Sequence, residues 1–155
     1  MWWIQVAEAT DPSGRWTLAT PPVALAQAHS AAVEAGVAQL PWAVRALGRP
    51  RIAEAVRNCG VLDLRATDTT LTAVCDADPP VTFTLGRPST VERDGVSYSA
   101  RAELRPQGWA LAFAGGDGGQ TVVYERHPDG TLAVTKAITS SWLPNPVAWT
   151  VTYTE

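Results

Sequence analysis

The sequence predicts a mainly β fold, an up-and-down antiparallel β-barrel of about nine or ten strands with two or three helices inserted after the first strand. Three observations carry that expectation. Turn signals recur every eight to twelve residues from Val61 to the C-terminus, the segments between them alternate with period two, and one Ala-rich stretch interrupts the pattern over residues 21–59.

The first strand is read in "GRWTLAT", where Trp16 and Leu18 alternate with Arg15 and Thr17. Pro21-Pro22 ends it, because proline cannot donate to a strand ladder. In the insert, Thr20 is the expected N-cap and Gly36 the expected stop for "VALAQAHSAAVEAG". Pro41 opens "PWAVRALG", and Gly48 and Gly60 close the second and third pieces. Their apolar residues are small or scattered. Such narrow stripes suit a lid on another layer better than a self-sufficient bundle.

Beyond the insert, turns are marked by Asp68, Asp78-Pro79-Pro80, Asp94-Gly95, Pro106-Gln107-Gly108, Gly115 to Gly119, Pro128-Asp129-Gly130 and Pro144-Asn145-Pro146. Asp94-Gly95 and Asp129-Gly130 are the strong hairpin signals, since tight hairpins need residues that tolerate positive φ. Sequential hairpins make a meander, and a long meander most simply removes its open edges by closing into a barrel. Several strands support closure through their second face. Trp109, Leu111 and Phe113 oppose Ala110 and Ala112, and Val122 and Tyr124 oppose Thr121, Val123 and Glu125, so neither face is plainly charged.

A chain of 155 residues is read as one domain, 1–155, able to bury roughly two-thirds of the surface of its unfolded form. Its net charge of -3 gives no footprint for a polyanion, so nucleic acid is not expected as a partner. No apolar run approaches the ~20 residues of a spanning helix, and Met1-Trp2-Trp3-Ile4 lacks the charged start of a signal peptide. The expectation is a cytoplasmic protein without stable membrane insertion, monomer or homodimer. Cys59 and Cys75 are too few for a disulfide framework and are read as reduced thiols. Arg and Ala richness hints at a bacterial source.

The order of parts resembles a known family. Gly14-x-Trp16 on a first strand, a helical insert and a meander to the C-terminus are similar to the intracellular lipid-binding proteins, the fatty-acid-binding protein family within the wider calycin group. "VTFTLGRPSTVERDGVSYSARAEL" and "TVVYERHPDGTLAVT" are the most family-like stretches. The resemblance implies that Trp16 plugs the closed end of the barrel. It also implies an Arg-x-Tyr pair on the last strand for a carboxylate head group, and here those positions read Val151-Thr152-Tyr153. A second family Arg falls near Glu125, although a one-residue slip would put Tyr124 or Arg126 there and flip every face. The lid is also longer than the family's two helices.

Two function classes follow. The first is binding of a hydrophobic small molecule, lipid-like or polycyclic, in the barrel cavity, lined by Tyr98, Trp109, Leu111, Phe113, Tyr124, Glu125, Trp149, Val151, Tyr153 and, from the lid, Trp42. Ordinary barrel filling competes with that role at the aromatics. The second is a small barrel enzyme, a cyclase or isomerase for an apolar biosynthetic intermediate, in which Glu125, Tyr124 or Tyr153 acts as acid, base or hydrogen-bond donor. A solvated outer position is the competing reading for Glu125. A third reading is an interaction module pairing through Trp2-Trp3 or Trp142. His29, His127 and the two cysteines show no metal-ligand spacing, and "GGDGGQT" lacks the Lys-Ser/Thr of a phosphate loop, so no metal and no cofactor are expected.

Overall fold

The computed structural model describes residues 11–93 and 95–155, and there the chain forms ten antiparallel strands and two helices. Strand β1 (Gly14–Leu18) leads into α1 (Pro22–Gln39), a 3₁₀ turn at Trp42–Val44, and α2 (Arg45–Ala55). The remaining strands follow as β2 (Val61–Ala66), β3 (Thr70–Cys75), β4 (Val81–Thr84), β5 (Ser89–Arg93) and β6 (Val96–Arg105). The last four are β7 (Gly108–Gly115), β8 (Gly118–Arg126), β9 (Leu132–Ser140) and β10 (Leu143–Thr154).

One sheet holds all ten, in the order β4-β3-β2-β1-β10-β9-β8-β7-β6-β5. Pairing of β1 with β10 joins the two ends of the chain, which leaves β4 and β5 as the edges. A parallel bridge from Leu85 to Ala102 spans that gap, and Phe83 meets Phe113 edge to face with ring centroids 5.7 Å apart. The result is a nearly closed barrel, with an edge plugged by aromatics instead of exposed.

The hairpins follow their turn chemistry. Arg93 pairs with Val96 around Gly95, whose φ of 76° is the left-handed value a two-residue turn requires; Asp94 lies outside the described residues. At the β8–β9 turn, Asp129 Oδ1 accepts the Thr131 N–H at 2.9 Å and the Thr131 hydroxyl at 2.6 Å. That holds the Asp129 carboxyl below its usual range.

The lid departs from the expected boundaries. Helix α1 runs through Gly36 to Gln39, because Gly36 serves packing: a Cβ there would stand 3.1 Å from Ile52 Cδ1 and 3.4 Å from Val147 Cγ2. The missing side chain lets α1 approach both α2 and β10. Gly48 likewise lies inside α2 rather than closing a piece. Pro21, not Thr20, occupies the N-cap, and the Thr20 hydroxyl instead accepts the Thr152 N–H at 2.9 Å. Ala32, Val37, Leu40, Ile52 and Val56 are buried from the lid side, whereas Trp42 is 83% exposed. On the outer side Glu34 pairs with Arg49 and ties α1 to α2.

The expectation of two free thiols is corrected. Cys59 and Cys75 form a disulfide, because Cys59 follows the lid, Cys75 ends β3, and the β2–β3 hairpin brings their Cα atoms to 5.4 Å. The bond closes a loop of sequence separation 16 and ties the lid exit to the barrel wall. Loop-closure entropy puts its contribution at about 3 kcal/mol. Urea unfolding of Cys75→Ser against the oxidised protein should show a loss of that size, and equal midpoints would show that the bond adds nothing to stability.

Candidate functional site

The alternation of each strand aims one set of side chains at the barrel axis, and cross-strand register assembles them into rows. One row runs Trp149, Lys136, Val122, Leu111, Ala102 through successive pairings from β10 to β6. The next runs Val151, Val134, Tyr124, Trp109. Along β10, Val147, Trp149, Val151 and Tyr153 are buried, with Ala148, Thr150 and Thr154 exposed and Thr152 half-buried on the opposite face. The last strand therefore turns its large residues inward and its small or hydroxyl residues outward.

The closed end is made by Trp16, which is fully buried and donates its indole N–H to the Pro12 carbonyl at 2.9 Å. Arg126 lies over its ring, 5.5 Å from the centroid, and reaches the Asp11 carbonyl and Glu155. Of the three candidates around the family Arg position, Arg126 thus belongs to the barrel's floor, Tyr124 faces inward, and Glu125 stands on the outer face opposite Gly108 and Ala133.

Under the lid lies a polar cluster. Asn58, just after α2, accepts at Oδ1 the Trp149 indole N–H at 2.9 Å and lies 2.7 Å from His29 Nε2 of α1. An indole can only donate, so the Asn58 oxygen is fixed toward Trp149 and its amide nitrogen faces elsewhere. That nitrogen is buried and has no hydrogen-bond partner. Tyr153 donates its hydroxyl to the Cys59 carbonyl at 2.6 Å, and Lys136 Nζ donates to the Arg57 carbonyl at 2.9 Å. Three consecutive residues at the lid's exit, Arg57, Asn58 and Cys59, are therefore each held by an inward-facing side chain of β9 or β10.

The electrostatics follow from burial. It pushes the Tyr124 phenol up to about 12, against the opposing pull of Arg93. Tyr153 is raised beyond the usual phenol range, first by burial and then by the Tyr124 phenol beside it. The Asn58 side chain, close to the phenol, works against that rise. Both phenols therefore stay neutral at physiological pH and offer hydrogen bonds rather than charge. Burial pulls Lys136 down to about 8, and the positive charges of Arg93 and Arg57 act in the same direction. Arg93 itself lies over the Phe113 ring, 5.7 Å from the centroid.

The structure brings together most of the residues singled out from the sequence and leaves two aside. Trp109, Leu111, Tyr124, Trp149, Val151 and Tyr153 are buried on the inner face, and Tyr98 and Phe113 are half-buried on the same face. Glu125 is on the outer wall and Trp42 on the exposed side of the lid. Sequence reasoning missed Lys136 and Asn58. A signal for Lys136 was present: in "LAVTKAITS" it shares the phase of Leu132, Val134 and Ile138, so the chain's one lysine lies on the apolar side of its strand. Asn58 had no such signal, because a polar residue after a helix is ordinary.

Comparison with solved structures gives the same architecture. The fluorescent protein UnaG superimposes with a TM-score of 0.53 at 18% identity, covering 92% of this chain and 96% of that one. One of its point mutants gives 0.54 at 18% identity, covering 92% and 94%. The fold is the fatty-acid-binding-protein-like barrel. No protein-family model matches this chain, and no curated protein matches it by sequence. Both helices follow the first strand, and no helix among the described residues is long and apolar enough to cross a membrane.

Proposed function

We propose that the protein binds a hydrophobic small molecule inside the barrel, beneath the α1–α2 lid. The observation that carries this reading is the polar equipment of an otherwise apolar inner wall. Lys136, Tyr124 and Tyr153 point inward and the Asn58 amide lies buried without a partner, where a barrel serving only as a core would hold Leu, Ile or Val. Few convergent polar groups within an aromatic and aliphatic wall are what small-molecule sites present. Trp109, Leu111, Val122 and Trp149 supply the apolar contact, and the phenols and amide orient one polar end of the ligand.

The cyclase or isomerase reading is weaker, because the carboxylate it relies on most, Glu125, is outside the lumen. An interaction module built on Trp2-Trp3 falls outside the described residues, and Trp142, 57% exposed, stands alone at the β9–β10 turn.

Native mass spectrometry of the purified protein, followed by organic extraction, tests the proposal. A stoichiometric apolar compound released unchanged is the expected result. Release of an isomer or a dehydrated product of the added compound would make the barrel an enzyme instead, and a protein that takes up no apolar compound from a panel of lipids and polycyclic molecules would overturn both readings.

A further inference from the structure

Lys136 is the side chain that the barrel's architecture explains least. It projects inward from the middle of β9, flanked by Val122 on one side and Trp149 on the other. Among the described residues it makes no ion pair, and its one recorded hydrogen bond is to the Arg57 carbonyl. The charged groups whose fields reach it are Arg93 from β5 and Arg57 from the lid exit. Neither is a carboxylate. Lys136 is half-buried, and an ammonium drawn part-way out of water without a counter-anion, beside neighbouring cations, is shifted toward the neutral amine. A neutral amine on an apolar inner wall is a nucleophile toward carbonyl carbon. Lys136 reaches the carbonyl of Arg57, and in the next residue the Asn58 amide nitrogen is buried without a hydrogen-bond partner, a donor for a carbonyl oxygen.

We propose that Lys136 is a covalent anchor for an apolar aldehyde, which it captures as an imine inside the barrel with the Asn58 amide holding the carbonyl oxygen. This rests on the lumenal binding reading above and specifies its ligand class. In the reaction the ammonium first releases its proton to solvent. The amine lone pair attacks the carbonyl carbon, a carbon–nitrogen double bond replaces the carbon–oxygen one, and the oxygen leaves as water with the two remaining amine hydrogens. No oxidant or reductant is needed, and hydrolysis returns the aldehyde.

The test uses decanal with cyanoborohydride, which fixes an imine as a secondary amine and adds the aldehyde's mass less one oxygen atom. Intact-mass and peptide mapping should find one adduct per chain at Lys136. At pH 7.4 it should form on the order of a hundredfold faster than on an exposed lysine amine, with a rate that levels off above about pH 8. Lys136→Arg keeps the cation and removes the nucleophile, so it should lose the adduct while retaining its circular dichroism. Lys136→Met serves as the second variant if the arginine form does not fold. Asn58→Ala should slow trapping about tenfold, the loss of one hydrogen bond to a developing oxyanion. An adduct confined to the N-terminal amine, or one that persists in both Lys136 variants, would overturn the inference while leaving lumenal binding intact. So would the absence of any adduct from a protein that binds Nile red, including the case in which decanoate displaces the dye far better than decanol and the lumen takes an anion. Failure of Nile red and decanal alike to enter the barrel would overturn the binding reading itself.

Discussion

Replacing Lys136 with methionine is expected to stabilise the protein by about 2 kcal/mol at pH 7, an unusual outcome for a substitution of a hydrogen-bonded residue. The native amine releases its proton at about 8, whereas in the unfolded chain it holds it to about 10.5. Below pH 8 the native state therefore carries a half-buried charge, whose cost is at most about 3 kcal/mol from the shift between the two values. Methionine fills a similar volume without that charge, and the Arg57 carbonyl losing its donor takes back about 1 kcal/mol. The sign of the pH dependence is fixed by proton counting. Between pH 8 and 10.5 the unfolded chain binds more protons than the native one, so the wild type gains stability as pH rises while the variant does not. The advantage should vanish by about pH 10.5. Urea unfolding of both proteins at pH 7 and pH 10 measures this, and a variant destabilised equally at both would mean that the ammonium is solvated.

The second large effect is at the other end of the barrel. Trp16→Ala should cost about 4 kcal/mol, since the ring is fully buried and its removal leaves a cavity at the floor. A loss of that size is a large share of the 5–15 kcal/mol of a typical domain. Two further contacts go with it, the indole hydrogen bond to Pro12 and the stacking of Arg126. Trp16→Phe retains a ring for Arg126 to cover and should lose only about 1 kcal/mol, the hydrogen-bond share. Thermal or denaturant unfolding of the pair separates the two contributions. Equal losses would show that the hydrogen bond to Pro12, and not the ring, closes the barrel.

The strands were legible in the sequence because one period and one set of turn residues governed them throughout. Asp129-Gly130 and the alternation of Trp149, Val151 and Tyr153 specify local geometry that tertiary packing does not override. The lid was less legible. Gly36 and Gly48 look like helix ends when read locally, yet both lie inside helices, where they permit close approach that only the packed structure reveals. Cysteine count misled for a related reason: whether Cys59 and Cys75 meet depends on where the lid returns to the wall. The choice between Tyr124 and Glu125 as the inward residue was a matter of register, and register across β7, β8 and β9 is set by pairings far apart in sequence. Lys136 could have been found by asking which polar residue shares the phase of an apolar face.

The central claim, that the barrel interior is a binding cavity, is tested most directly by blocking it. Ala102 faces inward opposite Leu111 and beside the bridge to Leu85, so Ala102→Trp would place an indole across the lumen without touching the lid or the floor. Titration with Nile red, followed by dye fluorescence, should give a saturable one-to-one rise with the wild type and none with Ala102→Trp of unchanged circular dichroism. A folded variant that binds the dye as tightly as the wild type would contradict the account and place the ligand outside the barrel.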